Sequence, residues 1–179
     1  MRVNGQQPTV NGRRPTVNEL RLFITALVFV IAPLGAAAQH LFFISKSTNR
    51  NIVCYDVQTR GEALDTDAPM HVYWHNNEER PGAEDELSFV QRTLAYGYKV
   101  KTCDTDGATV MLRAYGKRPI RICRHGGRWV ATTAINAQTC VLERIHVVTK
   151  RKSPVNVNHI VLYGKALADA SSQSEKVTN

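Results

Sequence analysis

His71 and His75 bracket Val72, Tyr73 and Trp74 in the stretch PMHVYWHNNEER, residues 69–80. Two imidazoles, a phenol and the glutamates behind them are the residue types of metal capture or proton transfer, and spacing decides between the two. A Val-Tyr-Trp run after Pro69 forms strand, and side chains along a strand alternate faces. His71, Tyr73 and His75 therefore share one side, while Met70, Val72 and Trp74 take the core side. At roughly 3.3 Å per residue the two histidines stand about 13 Å apart. Two ligands of one zinc ion, each about 2 Å from it, cannot be so far from each other. No metal site and no cofactor are expected. Tyr73 and His75 are left as acid–base groups able to line a groove beside a carboxylate. The acidic run Glu78, Glu79, Glu84, Asp85 and Glu86 reads as solvated charge, its last three members in the first turn of a helix, where the dipole favours anions.

A second constellation is basic. In KRPIRICRHGGRW, residues 117–129, Ile120 and Ile122 alternate with Arg121 and Cys123. If the isoleucines face the core, Arg121 projects outward, and the glycine turn gathers Arg124, His125 and Arg128 at one hairpin end. Such a group holds phosphate, sulfate or a lipid headgroup by charge-assisted hydrogen bonds. Residues 113–152 carry ten Lys and Arg against Glu143 alone, whereas residues 54–86 carry nine acids against Arg60 and Arg80. Nucleic acid is not expected, because no aromatics interleave with the bases as stacking platforms. There is no G-x-S-x-G elbow, no Cys–His signature, no phosphate loop and no dinucleotide fingerprint. Cys54, Cys103, Cys123 and Cys140 form an even set, which permits two disulfides in an oxidising compartment with three connectivities open. They serve equally as small buried hydrophobes in strands.

Almost every element past Gln39 has a period of two, the signature of strands. Strands are expected at 41–45, 51–57, 70–75, 98–104, 108–115, 119–124, 128–135, 140–150 and 157–167, with one short helix near 84–95. The fold class is mainly β: an antiparallel sandwich or a small, partly open barrel of about eight or nine strands. The polar end, 168–179, is expected to be a disordered tail, leaving 39–167 as a single β domain.

Residues 1–38 are read separately. Arg21 precedes thirteen uncharged residues, Leu22–Leu34, and then Ala36-Ala37-Ala38. Basic flank, apolar core and small-residue site are the order of a secretory signal, cut before Gln39. The apolar run falls short of the roughly 20 residues that span a bilayer, so the membrane is met only through an uncleaved signal segment. Ahead of it, VNGQQPT and VNGRRPT repeat with a period of seven, a polar start that builds no core and reads as a start assigned too early. The expected location is periplasmic or extracellular.

LFFISKSTNRNIVCYDVQ, APMHVYWHNNEE and ELSFVQRTLAYGYKV, spanning residues 41–100, resemble the N-terminal half of a family of exported bacterial proteins known as domain of unknown function DUF4833. The resemblance implies export and carries no activity, cofactor or catalytic residue with it. The leading expectation is a non-enzymatic cell-envelope binding module using Arg121, Arg124, His125 and Arg128 for an anionic lipid, a glycan or an envelope protein. A small hydrolase or transferase working near Tyr73 and His75 is the second expectation, and a structural, self-assembling envelope protein the third.

Overall fold

The computed structural model describes residues 39–150 and 156–178. The leader expected over residues 1–38, and Arg151 and Lys152 of the basic run, lie outside these. Each of the nine expected strands forms. In chain order the elements are β1 (His40–Lys46), β2 (Asn49–Val57), β3 (Thr59–Arg60), β4 (Ala63–Leu64), β5 (Met70–His75), β6 (Glu84–Glu86), α1 (Phe89–Leu94), β7 (Tyr98–Asp104), β8 (Gly107–Leu112), β9 (Ile120–His125), β10 (Arg128–Ile135), β11 (Gln138–Thr149), β12 (Val157–Ala166) and β13 (Ser172–Thr178).

One sheet runs in the order β6-β5-β2-β1-β11-β10-β9-β8-β7 and curls into an open half-barrel, with β12 and β13 added on the far edge of β11. Of the two expected architectures, the partly open barrel is the one formed. Its ladders are antiparallel with one exception, the parallel pairing of β1 with β11, which sets Phe43 beside Arg144 and Lys46 beside Val147. The inner face holds the core. Phe42 and Tyr55, both fully buried, stack at 4.3 Å between ring centroids. Val53, Val110, Ile122, Ile135 and Leu142 join them in one cluster. Each such side chain contributes about 1.5–3 kcal/mol by leaving water. The Tyr55 hydroxyl, which also needs a partner once buried, donates to the carbonyl of Tyr96 at 2.6 Å.

β11 is shared along one edge. Its first residues pair with β10, as Thr133 with Cys140, and its later ones with β1. The start of β1 and the start of β10 therefore compete for the same stretch of edge and part from each other. Gln39 fills this fork. Its side-chain amide stands in for a strand, accepting from the Trp129 N–H at 3.1 Å and donating to the Trp129 carbonyl.

Two expectations are corrected here. Glu84, Asp85 and Glu86 do not open a helix; they form β6 against Tyr73–His75. The helix starts later because Ser88 and Gln91 make a capping box, each side chain taking the other's backbone N–H. The tail is not disordered over its length either. Residues 172–178 form β13 along β12 from Lys165 to His159. Gln173, Glu175 and Val177 turn to the inner side, and Glu175 meets Arg118 at 2.7 Å. The four cysteines are free thiols on four different strands.

Candidate functional site

The register separates the basic hairpin residues. Arg124 sits opposite Trp129, on the inner side with Ile122, while His125 pairs with Arg128 and Arg121 with Thr132 on the outer side. Arg121 and His125 share a face but are four residues apart, about 13 Å along the strand. The glycine turn forms, Gly126 and Gly127 both at positive φ, 57° and 77°, the form that suits a two-residue hairpin, but it does not gather Arg124 with His125 and Arg128 as expected. It gathers His125 and Arg128, and it sends Arg124 into the fork.

There Arg124 lines a cleft of about 420 Å³ with Gln39, Gln58, Glu62, Asp65 and Trp129. Its guanidinium carbon lies 4.9 Å from the centre of the Trp129 ring, a cation–π contact, and one of its amino groups donates to the Glu62 carbonyl. Two acids stand on the same rim. Asp65 accepts from Arg60 at 3.0 Å and from the N–H groups of Asp67 and Ala68, and these bonds hold its carboxyl below the usual range, the Asp67 N–H contributing most. The cleft thus offers donors and acceptors of both signs, not a purely cationic pocket.

Tyr73 and His75 do not meet. Both lie on the outer face of β5, but Tyr73 is 9 % exposed and aims its hydroxyl across β2 at Asp56 Oδ2, 3.0 Å away. His75 lies at the other end, opposite Ile52 and Glu84. The partner sequence reasoning missed is His40, whose Nδ1 lies 2.8 Å from Asp56 Oδ1. Asp56, 6 % exposed, thus holds an imidazole on one oxygen and a phenol on the other. Burial, followed by the Asp56 hydrogen bond, drives the Tyr73 phenol well above its ordinary value, so it is a fixed donor. Cys54 lies beside it, its thiol pushed up to about 11 by burial first and Asp56 second, which keeps it protonated and poorly nucleophilic. A second imidazole, His71, stacks on Tyr73 at 5.0 Å and contacts Glu86 at 2.8 Å, and Glu86 also binds Arg92.

The resulting arrangement is two imidazole–carboxylate pairs on either side of one buried tyrosine. His40 is half exposed while its carboxylate is buried, so Asp56 orients the ring through Nδ1. Such a dyad accepts or donates a proton at a defined position. Among the described residues no group of three or more His, Cys, Asp or Glu is set to hold a metal ion, and no helix is long and apolar enough to cross a membrane.

Neither the curated proteins nor the solved structures offer a match to this chain. A family model does: the one described as "Domain of unknown function (DUF4833)" matches residues 42–176. That span runs from β1 through most of β13, well beyond the 41–100 stretch whose motifs resemble it. The chain belongs to the DUF4833 family.

Proposed function

We propose that this is an exported, non-enzymatic binding module of the bacterial cell envelope, and that the fork cleft takes a hydroxyl-rich, glycan-type ligand. The single observation that carries the reading is Arg124, held between the Trp129 ring and the Glu62 carbonyl over a 420 Å³ cleft. A free anion would meet Glu62 and Asp65 there, so the expected anionic ligand gives way to a neutral polyol, whose hydroxyls use donors and acceptors alike. Export is supported by the order of residues 21–38. It is supported also by Gln39, the residue after the expected cut, which already anchors the domain through Val57 and Trp129.

Calorimetry against a panel of neutral and acidic oligosaccharides tests the ligand. Arg124→Ala is expected to weaken binding at least tenfold, while Arg121→Ala, on the other face, leaves it unchanged. Equal effects, or no glycan bound, reject the reading. Mass spectrometry of the protein recovered outside the cytoplasm is expected to show Gln39 as the first residue.

One observation favours a second reading, a small hydrolase: the His40–Asp56 pair at 2.8 Å. Ester hydrolysis with a pH profile that His40→Asn flattens would support it, and turnover unchanged in that variant would reject it.

A further inference from the structure

The outer face of β11, β12 and β13 gathers cationic groups away from their counter-charges. Register places Arg144 beside Phe43 on one side and Tyr163 on the other, with Ser174 beyond. Two residues along β11, His146 lies between Ser45 and Val161, with Lys176 next in the row. One step further, His159 lies between Val148 and Thr178. Arg144 is only partly exposed, and its guanidinium lies over Tyr163, 4.1 Å from carbon to ring centre. That contact satisfies the face of the group and leaves its edge of N–H donors open. The two carboxylates on these strands have cationic partners of their own: Glu143 pairs with Lys165 at 3.4 Å and Glu175 with Arg118 at 2.7 Å.

The histidines of this face add polar groups. His146 Nδ1 is bonded to Ser45 Oγ at 2.9 Å. Burial, then Arg144, then His159 push its pKa below the ordinary imidazole value, which keeps this ring neutral near neutral pH. His159 Nδ1 is buried and has no hydrogen-bond partner among the described residues, which is costly for a polar atom. Beside Arg144 opens a cleft of about 300 Å³, lined by Phe43, Glu143, Arg144, Tyr163, Ser172 and Gln173. It offers a guanidinium edge, a hydroxyl and an aromatic wall, beside the Glu143 carboxylate that Lys165 holds.

We infer that this face is a binding site for a phosphate monoester, with the phosphoryl group on the Arg144 edge and the alcohol part against Phe43. A phosphate dianion supplies the counter-charge that Arg144 and Lys176 lack, and a guanidinium edge matches phosphoryl oxygens two at a time. Ser172 adds a neutral donor from β13. This site lies apart from the fork, on the other side of the sheet, and stands or falls independently of the glycan reading.

The test uses phenyl phosphate as the soluble probe and vesicles of phosphatidic acid in phosphatidylcholine as the lipid source of the same group. Calorimetry and the imidazole resonances of His146 and His159 are followed in the unaltered protein and in Arg144→Gln and Arg121→Gln. Saturable binding of either probe, shifting both imidazoles and at least tenfold weaker in Arg144→Gln but unchanged in Arg121→Gln, is expected. The soluble probe alone would name a small phosphoester, and the vesicles alone a lipid headgroup. Binding of neither probe overturns the inference, as does equal loss in the two variants. Thermal melts of both variants establish that they are folded before affinities are compared.

Discussion

Asp56 shows what a single buried side chain demands. A carboxylate taken from water is costly unless its oxygens are hydrogen-bonded, and here both are, one to His40 and one to Tyr73. Asp56→Asn keeps the shape but puts an amide N–H where an acceptor stood. We expect a loss of about 1–3 kcal/mol in urea unfolding, and a double-mutant cycle with His40→Asn that is non-additive because the two groups share the bond. Glu175 gives a pH signature. Its bonds to Arg118, and next to these the Asn136 N–H, hold its carboxyl down at about 2 against an ordinary 4.5. A folded-state pKa below the unfolded one stabilises fully above pH 4.5 and is lost as pH falls through about 2. The stability gap between the unaltered protein and Glu175→Gln, about 1–2 kcal/mol for a half-buried bidentate pair, should therefore be flat near neutrality and close between pH 4.5 and 2. At this scale the sequence was least legible. Alternation put Tyr73 on the outer face, but His40 and Asp56 meet only because β1 and β2 pair in one register, and a one-residue slip would have set them on opposite faces.

Elements were easier to read, and the exceptions have physical causes. Apolar alternation marked the nine long strands because eight of them bury one face in the half-barrel, and the ninth, β7, packs Tyr98 and Cys103 partly against it. β6 escaped because Glu84, Asp85 and Glu86 have no apolar partner face; what fixes them is the open edge of β5 and the contact from Glu86 to His71. Charge alone suggested a helix start, but the capping side chain is Ser88. The hairpin between β10 and β11 carries a legible misfit. Ile135 pairs with Gln138 across Asn136 and Ala137, both at positive φ, 51° and 63°, so the turn needs left-handed backbone at both residues. Asn tolerates this, whereas a Cβ on Ala137 costs roughly 1–2 kcal/mol there. Ala137→Gly should raise stability by about 0.5–1 kcal/mol after glycine's greater freedom when unfolded is subtracted, read as an upward shift of the thermal midpoint.

For the whole molecule the question is where the sheet stops. A half-barrel leaves edges, and an exposed strand edge pairs with other chains unless it is short, charged or covered. β7 is an edge guarded by Lys99 and Lys101, both exposed. β12 would be a worse edge, since its run His159–Tyr163 is almost wholly apolar, and β13 covers it. The polar composition of 168–179 hid this role, because a covering strand needs main-chain hydrogen bonds and few apolar side chains. Ending the chain after Leu167 would remove the ladder on β12, the packing of Val177 against the core and the Glu175 partner of Arg118. Adding one charge-assisted pair to one partly buried aliphatic side chain puts the loss at about 2–3 kcal/mol. We expect the shortened protein to melt earlier and to associate as its concentration rises, seen by light scattering during size-exclusion chromatography. A frayed tail would predict an unchanged midpoint and a monomer at every concentration, and that pair of results would overturn the place given to β13.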